Sequence, residues 1–194
     1  MVHLGDYVDR GPDSGKVLDR IIAGSDAFDS VALLGNHEDM MLECLETDDP
    51  DVWDSWLDNG GDATLASLDA PVERIGYDPA ALAWALGEDR IAWLRNLPIH
   101  HQIDGYLFVH AGIVPGVPLT EQKTKDMLWI RRRFLDSEAD HGVVVVHGHT
   151  RTFEPELLPN RIGIDTGLGR PRTLTAVALS ASAAPRFLQV SEQA

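Results

Sequence analysis

The chain has 194 residues, of which 44% are hydrophobic and 24% are charged, the composition of an ordinary globular protein with a substantial core. Its formal net charge of −15 argues against nucleic acid or an anionic membrane as the main partner. Its one cysteine, Cys44, excludes an intramolecular disulfide and is expected to be a small core residue. Because the sequence lacks a signal peptide and an apolar run long enough for a membrane span, we expect a cytoplasmic location.

Four short apolar runs are predicted to be strands buried on both faces, since β-branched residues follow one another without alternation. Each run leads into a polar cluster: Val2–Leu4 into Gly5-Asp6, Val31–Leu34 into Gly35-Asn36-His37-Glu38, Tyr106–Val109 into His110-Ala111-Gly112, and Val143–Val146 into His147-Gly148-His149-Thr150. Open α/β sheets place their sites just beyond such strand ends. The pattern therefore predicts a mixed α/β fold with a site built from these clusters.

Helices are predicted between the strands of the first half. Asp13 is expected to cap a helix that ends near Ala23, and His37–Thr47 carries apolar residues at helical spacing. Residues 50–97 contain four of the five tryptophans and are predicted to be a helical cap or insertion, broken at Asn59-Gly60-Gly61. We expect a single domain over residues 1–194.

Strands are predicted to dominate after residue 100. Gln102–Val109 is typical of a hairpin whose two-residue turn is Asp104-Gly105. Three later runs also favour strands: Arg161–Ile164, Thr173–Ala178 and Arg186–Val190.

The first two polar clusters offer groups suited to metal and phosphate chemistry. Asp6 is a hard oxygen donor that could bridge two metal ions, and the guanidinium of Arg10 matches a phosphate. Asn36 offers an amide oxygen, and His37 can transfer a proton near neutral pH. Taken alone, these residues leave two alternatives open: a solvated loop with an internal Asp–Arg pair, and a turn in which Asn36 caps a helix.

The later clusters add imidazoles and further arginines. His110 and His149 have small neighbours that allow close approach to an ion. With Asp and Asn they form a borderline ligand set that suits Mn, Fe or Zn better than Ca. One of the three consecutive arginines Arg131–Arg133 is expected to face phosphate, the alternative being a basic patch that balances the surplus of carboxylates.

The clusters GDYVDRG, GNHE, HAG and HGHT, in this order, resemble the phosphoprotein phosphatase branch of the calcineurin-like metallophosphoesterases. The nearest likeness is to the bacterial serine/threonine phosphatases and their diadenosine-tetraphosphatase relatives. The resemblance implies an α/β/β/α layered sandwich around a centre of two divalent metal ions, with Mn expected first and Fe, Zn, Ni or Co as alternatives. It also implies four metal ligands, of which the first bridges both ions: Asp6, Asn36, His110 and His149.

The resemblance further assigns the remaining roles. His37 would protonate the leaving oxygen, and Asp9 would orient His37. Arg10 and Arg131 would hold the phosphate together with Asn36. The implied reaction is in-line attack on phosphorus by a metal-activated water.

One motif of the family is not found in this sequence. The family pattern begins with a strand that ends in Gly-Asp-x-His-Gly, whose Asp and His bind the first metal. We therefore expect a weakened first metal site, for which Asp165 or Glu38 could be recruited, and a sandwich truncated by its first strand. A homodimer or an exchange of strands between protomers would compensate for that strand.

Three functions follow as hypotheses. The first is a metal-dependent phosphatase for phosphomonoesters, including phosphoserine and phosphothreonine, acting on a phosphorylated small molecule or a phosphoprotein. The second is hydrolysis of dinucleoside polyphosphates such as diadenosine tetraphosphate. The third is a weakly active or inactive relative that binds metal.

Overall fold

The computed structural model describes residues 1–168 and 172–191. The chain forms two compact units, residues 1–98 and residues 99–194, here called the N-terminal and C-terminal units. The mixed α/β class predicted from the sequence is confirmed, and the expectation of a single domain stays a prediction. In the described part of the chain, none of the helices has both the length and the apolar character needed to span a membrane.

The N-terminal unit begins with two short parallel strands, β1 (Val2–His3) and β2 (Val31–Ala32), joined through helix α1 (Ser14–Ala23). Val2 lies opposite Val31 in the ladder. The strands are shorter than predicted and half-buried rather than buried.

Helix α1 has the predicted limits and Asp13 is its N-cap residue, but the predicted capping by its side chain does not occur. The side chain of Asp13 makes no capping hydrogen bond and instead accepts from Lys16 Nζ at 2.6 Å. Gly24 ends the helix with a φ of 65°, which a glycine adopts without strain.

Helices fill the rest of the N-terminal unit, which confirms the helical prediction for residues 50–97. The helix after β2 ends at Cys44, three residues before the predicted limit of Thr47. Gly60 has a φ of 104° and kinks the chain at the predicted break, within a π-helical turn. The helical elements are α2 (Asn36–Cys44), α3 (Pro50–Trp56), the π-helical turn (Leu57–Gly61), α4 (Asp62–Ser67), α5 (Val72–Ile75), α6 (Pro79–Leu86) and α7 (Glu88–Arg95).

The core of the N-terminal unit is built around two tryptophans. Trp53 and Trp56 have no exposed surface, and their rings meet edge to face with centroids 6.0 Å apart. Tyr77 stacks on Trp53 with ring centroids 5.5 Å apart. Cys44 is fully buried beside this core, as predicted, and burial raises the pKa of its thiol to about 12.

The C-terminal unit contains a five-stranded mixed sheet. Its strands are β3 (His100–Ile103), β4 (Tyr106–Val109), β5 (Val144–His147), β6 (Glu156–Leu157) and β7 (Arg161–Gly163). They lie in the order β3-β4-β5-β7-β6, in which the inner strands β4, β5 and β7 run parallel and the outer pairs are antiparallel. The predicted hairpin is confirmed, since Ile103 lies opposite Tyr106 and only Asp104-Gly105 separates them.

The two predicted later strands are present as β8 (Thr173–Ala178) and β9 (Arg186–Ser191), the second one residue longer than predicted, and they form a separate antiparallel pair. The short β6, a 3₁₀ turn at Leu119–Glu121 and the helices α8 (Thr124–Trp129) and α9 (Arg132–Leu135) were not predicted. The unit's core includes Val109, Val145 and Phe134, all fully buried. Because β4 and β5 are parallel, the histidines that follow them reach the same edge of the sheet.

Gly112, just after β4, generates a stability prediction. It has a φ of 149°, and an added Cβ would lie 2.3 Å from Cδ1 of the fully buried Phe134. We expect Gly112→Ala to lower the free energy of unfolding by about 2–5 kcal/mol, through backbone strain and overpacking. Urea denaturation measures this free energy.

The matched control is Gly116→Ala in the same unit. Gly116 also has a positive φ, 76°, but nothing lies within 4 Å of an added Cβ. This change should cost only the backbone strain, about 1–2 kcal/mol. Equal losses for the two variants would show that the Phe134 ring is not the constraint.

Candidate functional site

Several candidate site residues have an unusual backbone conformation. Asp6, Asp9, Arg10 and His149 have φ values of 60°, 72°, 62° and 62°. For residues other than glycine this left-handed conformation costs on the order of 1 kcal/mol each and persists only where surrounding contacts enforce it. Such strain is concentrated at functional sites, so the conformation agrees with a functional role for these loops.

The carboxylate of Glu38 organises the loop that contains Asp6. Glu38 is fully buried. Its Oε2 accepts the backbone N–H of Asp6 at 2.8 Å and that of Gly35 at 3.0 Å. Its Oε1 accepts the backbone N–H of Tyr7 at 2.6 Å and that of Val8 at 3.2 Å. A buried carboxylate needs such donors, and these four occupy both of its oxygens.

This arrangement corrects one expectation from the sequence. Glu38 is the anchor of the loop rather than an available replacement ligand for a metal. It also explains Gly35, because a Cβ there would lie 2.4 Å from the Asp6 nitrogen and 2.6 Å from Glu38 Oε2. Burial, followed by the charge of Asp6, raises the pKa of Glu38 to about 7, while the backbone donors act to lower it.

His37 and Asp9 form a buried pair, as the resemblance implied. Nδ1 of His37 lies 2.5 Å from Oδ2 of Asp9, whose side chain has no exposed surface. Oδ1 of Asp9 also accepts from Trp56 Nε1 at 3.1 Å and from Thr64 Oγ1 at 2.7 Å. The other ring nitrogen, Nε2, lies 4.0 Å from Oδ2 of Asp6. The pair therefore holds His37 through Nδ1 and leaves Nε2 on the side of Asp6.

Asn36 and Arg10 lie in the same unit. Asn36 is buried and is the first residue of α2, while Gly35 is the residue at the helix cap, so the alternative in which Asn36 caps the helix is wrong. Arg10 is exposed, and its backbone N–H donates to the carbonyl of Gly60 at 3.1 Å.

The C-terminal unit brings three further predicted residues together. Nε2 of the buried His110 lies 3.2 Å from Nδ1 of His149. Arg131 donates from Nε to Nε2 of His149 at 3.1 Å. The backbone N–H of Gly148 donates to the carbonyl of His110 at 2.8 Å, which ties the two loops to one another.

The two imidazoles have a spacing that fits a shared metal ion. Nitrogen ligands about 2.0–2.1 Å from one tetrahedral ion are roughly 3.3 Å apart. The 3.2 Å between His110 and His149 is close to that separation. Within either unit, the described residues include no group of three or more His, Cys, Asp or Glu side chains arranged to hold an ion. The full set of Asp6, Asn36, His110 and His149 therefore stays a prediction.

His147, in the same sequence cluster as His149, is a buried residue of the C-terminal unit. Burial lowers its pKa to about 4, so its imidazole is neutral at physiological pH. Its ring packs edge to face against Phe134 with centroids 5.2 Å apart. Among the described residues, Nε2 of His147 has no hydrogen-bond partner.

Residues 1–167 match the family model of the calcineurin-like phosphoesterases. The chain belongs to this family. The family uses divalent metal ions, so membership confirms the resemblance of the four motifs and a metal-dependent phosphoesterase scaffold.

Curated relatives carry two kinds of name. Serine/threonine-protein phosphatase 1 of Salmonella typhimurium is 30% identical over 86% of this chain and 72% of its own length. A symmetrical bis(5'-nucleosyl)-tetraphosphatase of Aromatoleum aromaticum is 32% identical over 58% of this chain and 33% of its own length. The symmetrical bis(5'-nucleosyl)-tetraphosphatase of Nitrosomonas europaea is 29% identical over 76% of this chain and 48% of its own length. The chain thus spans less than half of these two tetraphosphatases, and the names support phosphoester hydrolysis without deciding the substrate.

The sequence analysis assigned no role to Trp56 and Thr64, two residues that donate to the carboxylate of Asp9 in the candidate site. A signal was present, since a glycine pair inside a helical stretch costs about 1 kcal/mol per glycine and so needs a tertiary reason. The pair Gly60-Gly61 lies between these two residues. The sequence marked it only as a break in the helix.

The carboxylate of Glu38 gives a prediction for stability and its pH dependence. In Glu38→Gln an amide NH₂ replaces one acceptor and faces two backbone N–H groups, so the free energy of unfolding should fall by about 1–3 kcal/mol at pH 8. Because the pKa of Glu38 in the folded chain, about 7, exceeds the ordinary glutamate value of 4.5, the wild type gains stability as the pH falls through this window. Urea denaturation should therefore show a larger difference in the free energy of unfolding between the wild type and Glu38→Gln at pH 5 than at pH 8.

Glu43→Gln is the matched control, because Glu43 is an exposed residue of the same helix. It should leave the free energy of unfolding nearly unchanged at both pH values. A gap for Glu38→Gln that narrows at pH 5 would contradict the assigned environment of Glu38.

Proposed function

We propose that this chain is a metal-dependent phosphatase that hydrolyses phosphomonoesters, including phosphoserine and phosphothreonine in proteins. The observation that carries the proposal is the buried pair of His37 and Asp9, with 2.5 Å between Nδ1 and Oδ2. An imidazole held by a buried carboxylate is suited to proton transfer at neutral pH. The serine/threonine phosphatase relative, which aligns with 86% of this chain, favours phosphoproteins among the substrates.

The proposed metal ligands are Asp6, Asn36, His110 and His149. The spacing of the two imidazoles supports this assignment, and so does the mixture of oxygen and nitrogen donors, which suits Mn, Fe or Zn. We propose Mn first, with Fe, Zn, Ni or Co as alternatives. When bound, such an ion supplies a water of lowered pKa that can act as the nucleophile.

Arg131 and Arg10 are proposed to bind the phosphate, assisted by Asn36. A guanidinium matches the geometry of phosphate oxygens. The Nε group of Arg131 donates to Nε2 of His149. His149 can offer a lone pair on Nδ1 to an ion only in the tautomer with its proton on Nε2, and in that tautomer Nε2 no longer accepts from Arg131. A shift of His149 to this tautomer when an ion binds would therefore release the guanidinium of Arg131 for phosphate.

Proton transfer to the leaving group is assigned to Nε2 of His37. Asp9 accepts from Nδ1, so it favours the tautomer and ring orientation that keep Nε2 available and stabilises the charged imidazolium. An alkoxide leaving group, as in phosphoserine, gains most from this proton because it is strongly basic.

Hydrolysis of dinucleoside tetraphosphates is the second candidate. Two of the three curated relatives described above carry the name of that activity. The leaving group would then be a nucleotide phosphate, which needs protonation less than an alkoxide does. Association into a homodimer or by strand exchange stays a prediction alongside both candidates.

The proposed function is tested by the turnover of a phosphoserine peptide, p-nitrophenyl phosphate and diadenosine tetraphosphate, with Mn²⁺ or with excess chelator. We expect turnover of the peptide and the aryl phosphate with Mn²⁺, loss of turnover in chelator, and recovery when Mn²⁺ is added back. Preference for the tetraphosphate would favour the second candidate. Equal rates in chelator would show that the metal mechanism is wrong, and absence of turnover with every ion would favour the inactive relative.

The same assay includes a ligand variant and a matched control. His149→Asn should lower the Mn²⁺-dependent rate by more than about 100-fold, because even partners of metal ligands contribute about 10–100-fold. His101→Asn changes another histidine of the same unit, on β3, and should keep the rate. Equal losses in both variants would contradict the role of His149.

The role of His37 predicts a dependence on the leaving group. His37→Ala should lower kcat for an alkyl phosphate by about 10²–10⁴-fold and lower it less for p-nitrophenyl phosphate, whose leaving group departs without a proton. Steady-state kinetics on both substrates measure the two losses. Equal losses would show that His37 is not the general acid.

A further inference from the structure

Two side chains from the helical region complete the environment of Asp9. Trp56 Nε1 lies 3.1 Å from Oδ1 and 3.2 Å from Oδ2 of the carboxylate. The hydroxyl of Thr64 donates to Oδ1 at 2.7 Å and accepts the backbone N–H of Asp9 at 2.8 Å. Thr64 therefore holds Asp9 by its side chain and by its backbone. Both residues are fully buried, so water does not compete for these bonds.

These donors determine what the carboxylate can do for His37. With Trp56 and Thr64 donating to it, the carboxylate of Asp9 acts as an acceptor, and the remaining bond must be donated by Nδ1 of His37. A proton on Nδ1 leaves the lone pair of neutral His37 on Nε2. Loss of either donor would let the carboxylate rotate and would weaken the preference of His37 for this tautomer.

The backbone between Trp56 and Thr64 is shaped for close approach. A Cβ on Gly61 would lie 2.5 Å from the Trp56 ring, and a Cβ on Gly60 would lie 2.6 Å from Cγ of Arg10. The glycine pair belongs to the π-helical turn Leu57–Gly61, in which Gly60 has a non-helical φ of 104°. The two glycines thus let the chain pass against the Trp56 ring and the backbone of Arg10.

We propose that the segment Trp56–Thr64 is a positioning element for the proton-transfer pair, with Trp56 and Thr64 as its positioning residues. The proposal rests on the proposed function in one respect, the role of His37 as general acid. It extends the candidate site to residues of the helical stretch that the sequence suggested only as a cap or insertion.

A purely structural role for Trp56 is the competing explanation, since a buried tryptophan normally finds a partner for its N–H. Trp53 provides the matched control. It lies in the same helix, is also fully buried, and donates from Nε1 to the carbonyl of Thr47 at 2.8 Å, away from Asp9. Replacing either tryptophan by Phe removes an indole N–H from the same core, but only Trp56→Phe removes a hydrogen bond to Asp9.

The kinetic test compares Trp56→Phe and Thr64→Val with Trp53→Phe and Thr64→Ser. We expect Trp56→Phe and Thr64→Val to lower kcat for an alkyl phosphate by about 10–100-fold, with a smaller loss for p-nitrophenyl phosphate and little change in KM. Thr64→Ser keeps the hydroxyl and should keep most of the rate. Trp53→Phe should leave the ratio of alkyl to aryl rates at the wild-type value even if it lowers the melting temperature.

A second readout does not depend on turnover. Two-bond ¹H–¹⁵N correlation spectra of the metal-free chain report the tautomer of each histidine, and the spectrum of His37→Ala identifies the signals of His37. We expect the Nδ1-protonated form of His37 in the wild type, Trp53→Phe and Thr64→Ser. In Trp56→Phe and Thr64→Val its population should fall measurably.

The outcomes separate the two proposals. Equal alkyl and aryl losses in Trp56→Phe, or a ratio of rates no different from that of Trp53→Phe, would overturn the positioning role. If the wild-type chain shows no phosphoesterase activity, the proposed function fails, and the tautomer of His37 alone then decides the inference. An unchanged tautomer in both Trp56→Phe and Thr64→Val would overturn it, whereas a shifted tautomer would support it.

Discussion

Burial of the Glu38 carboxylate is the constraint from which the geometry of the N-terminal unit follows. A carboxylate without solvent requires donors, and Glu38 obtains them from the backbone of two loops. Bringing those N–H groups onto one carboxylate bends the chain tightly after β1 and leaves Asp6 with a φ of 60°. Hydrogen bonds to a charged group contribute about 1.5–3 kcal/mol each, which is enough to offset a strain on the order of 1 kcal/mol.

Asp9 follows the same principle with side chains as donors. His37, Trp56 and Thr64 converge on its carboxylate, and the last two come from a part of the chain more than 45 residues away. Trp56 thereby has two functions, as a core residue and as a donor. The glycine pair that disfavours a regular helix becomes understandable, because any side chain at either glycine would collide with Trp56 or Arg10.

In the C-terminal unit the constraint is the direction of the strands. Strands β4 and β5 are parallel neighbours, so the residues that follow them must meet at one edge of the sheet. This places His110 beside His149, and the hydrogen bond from Gly148 to the His110 carbonyl holds the two loops together. Arg131, which lies between α8 and α9, donates a hydrogen bond to the imidazole of His149. Within each unit, contacts among its own residues thus fix the positions of several candidate site residues.

The sequence alone was sufficient to predict the family, the mixed α/β class, the hairpin at Asp104-Gly105 and the polar clusters at strand ends, because these depend on local periodicity and on motif order. It was wrong about the side-chain cap at Asp13, and the alternatives that made Asn36 a helix cap and Glu38 a metal ligand do not fit the structure. Only the tertiary structure showed that Glu38 holds a loop and that Trp56 and Thr64 hold Asp9. The physical reason is distance along the chain: a local pattern indicates which residues neighbour one another in an element, whereas the donors of a buried carboxylate are selected when remote segments pack together.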